Sequence, residues 1–218
     1  MKLQTLLGHS ADSNNISSCL SELGTPDSVP NYDLKTYSDV VYYNYHSLGL
    51  SLVFSPIEGY KPKTRASASE LSLSKLILTG IDIYNRLETA SDRKDSAPYA
   101  PKIVNAQYSP YPAYPISLLL PSAPPDRNQQ PSSSPPNVLA ITPDTTGKIF
   151  VEALGEPSRK GGGTGPSSGS INIWCEWSRL GLMIEFGGND ARGPQAWERG
   201  KDARWSVISI FRPPKTQE

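Results

Sequence analysis

Tyr42-Tyr43-Asn44-Tyr45-His46-Ser47-Leu48-Gly49-Leu50-Ser51-Leu52-Val53-Phe54 decides the reading of the fold, because the chain repeats it. The second version is Trp174-Cys175-Glu176-Trp177-Ser178-Arg179-Leu180-Gly181-Leu182-Met183-Ile184-Glu185-Phe186. In the first, Val41, Tyr43 and Tyr45 alternate onto one face and Leu50, Leu52 and Phe54 return on it. In the second, Ile173, Cys175 and Trp177 are answered by Leu182, Ile184 and Phe186. A period of two on both sides of a glycine-bearing turn predicts an antiparallel hairpin, with Gly49 and Gly181 suited to positive φ. Outward from the hairpins, Leu23-Gly24-Thr25-Pro26 matches Leu154-Gly155-Glu156-Pro157, and Ile81-Asp82-Ile83-Tyr84 matches Ile208-Ser209-Ile210-Phe211. The offset is 131 residues at the first pair, 132 through the hairpins and 127 at the last strand. Ordered matches at near-constant spacing predict a tandem duplication.

Each unit then reads as one helix followed by three strands. Ile16, Cys19, Leu20 and Leu23 lie at helical spacing in the first. Ile149, Phe150, Ala153 and Leu154 do so in the second, with Gly155 and Pro157 as the stop. The expected fold class is α+β, each unit a helix packed on a three-stranded antiparallel sheet. The expected boundaries are 1–90 for the first unit, 91–136 for a linker or insertion, and 137–218 for the second. A single small unit buries little apolar surface, so the two should share a core or join their sheets edge to edge.

This order of elements resembles the BamE/SmpA family of small lipoproteins and is similar to the tandem units of the β-lactamase inhibitory proteins. The residues that carry the resemblance are Leu23 to Pro26, Val41 to Tyr45, Gly49 to Phe54 and Ile81 to Tyr84, with their counterparts in the second unit. It implies a layered helix-and-sheet platform that binds other proteins, and no catalytic residue. No lipidated cysteine or export signal like that of the lipoproteins is expected, so their outer-membrane role is not carried over.

Between Pro98 and Pro136, 11 of 39 residues are proline, which lowers the apolar share of the whole chain to 37%. Proline removes a donor and fixes φ, so this segment is expected to be extended or peripheral, a plain linker or a ligand for an SH3 or WW domain. Ile116-Ser-Leu-Leu-Leu120 inside it could pack as a short extra strand.

The formal charge is +0, from 21 basic and 21 acidic residues, which gives no electrostatic pointer to nucleic acid or an anionic membrane. The start, Met1-Lys-Leu-Gln-Thr-Leu-Leu7, is too short an apolar run for a signal peptide, and no stretch is long enough for a membrane span. Cys19 and Cys175 are too few for a disulfide framework and have no clustered ligands for zinc. Two buried thiols in a reducing compartment are expected, hence a cytoplasmic protein, with the nucleus open. No metal or cofactor is expected.

Chemistry is sparse. His9 and His46 have no partner in a nucleophilic motif and read as loop histidines. Arg159-Lys160-Gly161-Gly162-Gly163 is the candidate anion site, since glycines expose N–H groups beside two cations. Yet the glycines follow a helix and precede a strand, the reverse of a P-loop, so a flexible loop competes with phosphate or phospholipid head-group binding. The insertion from Gly187 to Trp205 places Trp197 and Trp205 among Arg192, Arg199, Lys201 and Arg204, and the first unit has no equivalent. Tryptophan and arginine dominate interface hot spots. Trp174 points away from the apolar face of its hairpin, where it covers the first unit or meets a partner. The expectation is a non-catalytic interaction module that binds a protein through Trp174, Trp197, Arg199, Lys201 and Trp205. The alternative is a small-ligand protein, possibly an enzyme, with its site at Arg159–Gly163.

Overall fold

The computed structural model describes residues 3–24, 30–85, 108–120, 138–163 and 171–214. The first half runs α1 (Asn14–Leu23), β1 (Asp33–Thr36), β2 (Val41–Tyr45), β3 (Leu50–Pro56) and β4 (Leu76–Tyr84). Next come β5 (Ile116–Leu119) and β6 (Val138–Ile141). The second half runs α2 (Gly147–Leu154), β7 (Arg159–Gly163), β8 (Ile171–Trp177), β9 (Leu182–Phe186), the short α3 (Ala196–Arg199) and β10 (Trp205–Phe211). Thr25 and Pro26 lie outside the described residues.

Both quoted stretches are antiparallel hairpins. Tyr43 pairs with Leu52 and Tyr45 with Leu50; Cys175 pairs with Ile184 and Trp177 with Leu182. Each turn is a short 3-10 segment closed by a left-handed glycine, Gly49 at φ +56 and Gly181 at φ +62. The carbonyls of these glycines then accept from the next strand, Gly49 from Tyr84 N–H at 2.9 Å and Gly181 from Phe211 N–H at 2.8 Å. A left-handed backbone costs a residue with a Cβ about 1–2 kcal/mol. Here a Cβ would also strike the Ser109 carbonyl at Gly49 and the Phe211 carbonyl at Gly181.

The expected pair of helix-on-three-strand units is not what forms. Eight strands make one continuous antiparallel sheet in the order β1-β2-β3-β4-β10-β9-β8-β7, so the fold is mostly β. Two additions change the architecture. Asp33–Thr36 and Arg159–Gly163 pair onto the outer edges of the hairpins, giving each half a fourth strand. At the centre β4 pairs with β10, which places Ile83 opposite Ile208 and Ile81 opposite Ile210. All four isoleucines are 0–1% exposed. Full burial of such a side chain contributes roughly 1.5–3 kcal/mol, so the seam is part of the core. Buried residues of both halves form one cluster.

The two longer helices, α1 and α2, lie on the apolar face of the sheet. Ile16, Cys19, Leu20 and Leu23 of α1 are buried, and the Ser13 hydroxyl accepts from Asn15 N–H at the helix start. In α2 the buried residues are Gly147 and Phe150, whereas Ile149 is 42% exposed. The second half therefore seats its helix with far less apolar surface than the first.

The proline-rich region is not peripheral throughout. Tyr108, Tyr111, Ile116 and Leu118 are buried, and β5 pairs with β6 as a two-stranded ribbon. Tyr111 N–H donates to the Tyr84 carbonyl, and the Tyr114 ring lies 6.4 Å from that of Trp205. The runs 86–107 and 121–137 are outside the described residues, including most of the expected linker.

On the opposite face, one cross-strand row joins Asn44, Ser51, Asp82, Ser209, Met183, Glu176 and Arg159. Its first half is tied by hydrogen bonds. Ser51 Oγ and Tyr108 OH both donate to Asn44 Oδ1, at 2.8 and 2.9 Å, and Ser209 Oγ donates to Asp82 Oδ1 at 2.6 Å. Burial pushes the Asp82 carboxyl up, with the Ser209 hydroxyl opposing.

Candidate functional site

The four tryptophans take three kinds of position. Trp205 is fully buried, and its Nε1 donates to the Thr142 carbonyl at 2.8 Å while its own carbonyl accepts from Asn85 Nδ2. Trp205 belongs to the core, so the expectation that it meets a partner is corrected. Trp177 is also core, its Nε1 donating to the Gly155 carbonyl at the end of α2. Trp174 is half-buried on the outer sheet face, beside the Arg159 guanidinium at 5.9 Å from the ring centroid. Trp197 is 43% exposed and lies on the helix side.

Trp174 and Trp197 thus flank the same edge strand on opposite faces of the sheet. Strand alternation explains it. Arg159 and Gly161 pair with Glu176 and Trp174, while Lys160 pairs with Cys175, whose side chain faces the helices. The glycine-rich run is therefore an edge strand rather than a flexible loop. Arg159 is committed to Glu176 at 3.2 Å. Gly161 lies so close under the Trp174 indole that a Cβ would reach 2.6 Å from it. Gly162 and Gly163 have φ of +86 and +92 at a register shift, which accounts for glycine at both.

On the helix side a cavity of about 320 Å³ opens between α2, α3 and the sheet. Its floor is Ile173, Cys175 and Phe186, buried residues of β8 and β9. Val151 and Pro157 border it from α2 and beyond, and Trp197 from α3. Three lysines reach its lining, Lys148, Lys160 and Lys201, with Glu152 and Glu156. Lys148 is paired with Glu152 at 3.7 Å. The Nζ of Lys160 stands 5.5 Å from the Trp197 ring centroid, a cation–π contact of about 0.5–1 kcal/mol at an exposed site.

Local backbone bonds hold these walls together. The first two N–H groups of α2, Gly147 and Lys148, donate to the carbonyls of Ala203 and Lys201 at 3.0 and 2.8 Å. Gly200 lets the chain pass over Ile173, where a Cβ would collide. Of the expected partner residues, Trp197 and Lys201 line this cavity, Arg199 is exposed on α3 with its Nη2 donating to the Arg192 carbonyl, and Trp174 is on the other face. Sequence reasoning missed Val151, Lys148 and the floor residues. The available signal was the pair Ile149 and Val151 flanking Phe150, more apolar surface than an eight-residue helix can bury on one side.

Both histidines have polar neighbours. His9 Nδ1 bonds the Leu6 carbonyl and Nε2 bonds Asn15 Nδ2. His46 opens the first hairpin turn, its Nε2 3.8 Å from Asp33 Oδ2 and its ring 4.5 Å from that of Tyr108. Both cysteines are free and buried, and desolvation pushes each thiol up to about 11. Among the described residues no group of three or more His, Cys, Asp or Glu is close enough to hold a metal, and no helix is long and apolar enough to cross a membrane. No family model matches the chain, and no curated protein or solved structure does either.

Proposed function

We propose that the protein is a non-catalytic interaction module that binds a protein partner through the helix side of its second half, around Trp197, Arg199 and Lys201. The observation that carries this reading is the 43% exposure of Trp197, on a short helix placed where the first half has two 3-10 turns, Ala68–Glu70 and Leu73–Lys75, without a tryptophan. An indole held out at a cavity mouth with cations beside it combines large contact area with directional charge, the composition of interface anchors. The residues expected from sequence to form one partner surface fall on two faces of the sheet, and this face is preferred over that of Trp174, where the indole is half-buried and its neighbouring arginine is already paired.

Site-specific photo-crosslinking tests the choice. A photoreactive phenylalanine at position 197 is expected to trap a protein partner in native extract, and one at position 174 is expected to trap none. Crosslinks confined to position 174 would refute it. An anion site at Arg159–Gly163 is the weaker reading, because Arg159 is paired and Gly161 packs under an indole.

A further inference from the structure

The cavity beside Trp197 is lined by both apolar and charged side chains. Its floor is the core layer of the sheet itself, Ile173, Cys175 and Phe186, reached because α2 brings only one large buried side chain, Phe150, to this half. In the first half α1 lays Ile16, Cys19, Leu20 and Leu23 on the equivalent layer. At about 320 Å³ the space falls at the lower end of the range of small-molecule sites, about 300–1,000 Å³. Its charges are uneven. Three lysines, Lys148, Lys160 and Lys201, face two glutamates, Glu152 and Glu156, an excess of one positive charge. With Lys148 held by Glu152, Lys160 and Lys201 have no ion pair among the described residues.

We propose that this cavity binds a small amphipathic anion, with an apolar body over Ile173, Cys175 and Phe186 and a single carboxylate-type head at Lys160 and Lys201. The apolar body replaces the packing that α2 omits, and the head supplies the negative charge that the rim lacks. Phosphate alone offers no apolar body and would not fill the floor. This goes beyond the docking reading, since it concerns a small molecule inside the cavity and needs no protein partner.

Calorimetric titration of the full chain with decanoate, kept below its micellar concentration, is the test, with decanol and decyltrimethylammonium as the uncharged and cationic probes. One decanoate should bind per chain, with decanol at least about tenfold weaker and the cation not binding, since hydrogen bonds to a charged head are the stronger ones. Lys160→Glu with Lys201→Glu should weaken decanoate at least about tenfold and leave decanol unchanged. Val151→Trp, at a partly solvent-facing wall, should block both while the melting temperature holds. Equal binding of decanoate and decanol would overturn the anionic head. Absence of saturable binding, or binding that survives Val151→Trp in a folded protein, would overturn the site. No partner is present in this titration, so its failure is distinct from failure of the docking surface.

Discussion

Lys160 on the edge strand β7 lies over the ring of Trp197 on α3, 5.5 Å from Nζ to the ring centroid. The contact is exposed, so it orients the indole at the cavity mouth without anchoring the fold. Trp197→Ala should therefore shift the melting temperature by no more than about 2 °C, since exposed substitutions usually fall within about 0.5 kcal/mol. A drop of 10 °C in thermal unfolding would make Trp197 a structural lid.

Trp205 should behave in the opposite way. It is fully buried and bonded at both its indole and its carbonyl, so Trp205→Ala is expected to cost about 3–5 kcal/mol in chemical denaturation. Trp205→Phe keeps most of the volume but leaves the Thr142 carbonyl without its donor, and should lose less.

The two hairpin glycines should be intolerant to the same degree. Gly49→Ala and Gly181→Ala each impose a left-handed alanine and a collision with a backbone carbonyl. Each should lose about 2 kcal/mol or more, above the strain term alone. Equal stability of either variant and the parent would show that the turn relaxes freely.

Asp82 gives a pH dependence with a defined sign. Burial raises its carboxyl above the unfolded value, so folding favours the neutral form. The associated stability is complete below the unfolded value, about pH 4, and is lost as pH rises through the folded value. Asp82→Asn keeps an oxygen for the Ser209 hydroxyl and removes the charge. Its melting temperature should exceed the parent's by a few degrees at pH 7 and match it at pH 3. The same difference at both pH values would contradict this account.

Cys19 and Cys175, each pushed up to about 11, should alkylate slowly. At pH 8 the thiolate share is about 0.001, against roughly 0.2 for a free cysteine, so iodoacetamide should react at least about 100-fold more slowly than with an unstructured thiol. Mass spectrometry of the intact chain over time reads this directly.

How much was legible follows from where side chains carry the pattern. The hairpins could be read because tyrosines, tryptophans and leucines alternate around Gly49 and Gly181, and the structure pairs them in that register. The edge strands could not, because Asp33-Leu-Lys-Thr36 carries a single apolar side chain, Leu34, and Arg159-Lys-Gly-Gly-Gly163 carries none, so neither shows an alternating pattern. Those strands and the Ile81–Ile210 seam turned two expected α+β units into one mostly β sheet. Within the site, Trp197 and Lys201 were named from composition, yet composition could not separate them from Trp205, which differs only in where its strand starts. Ile149 was assigned to the buried face by spacing, but a helix of eight residues anchored mainly by Phe150 leaves it in solvent.

Docking of a protein at Trp197, on the helix side of the second half, is open to a direct measurement. Quantitative capture from native extract by the full chain, compared with Trp197→Ala and Trp174→Ala, tests it most directly. Trp174→Ala should retain the parent's partner, while Trp197→Ala should weaken capture at least about thirtyfold, the loss of about 2 kcal/mol typical of a hot-spot tryptophan. Full retention by Trp197→Ala together with loss in Trp174→Ala would contradict it and move the docking surface to the opposite face of the sheet.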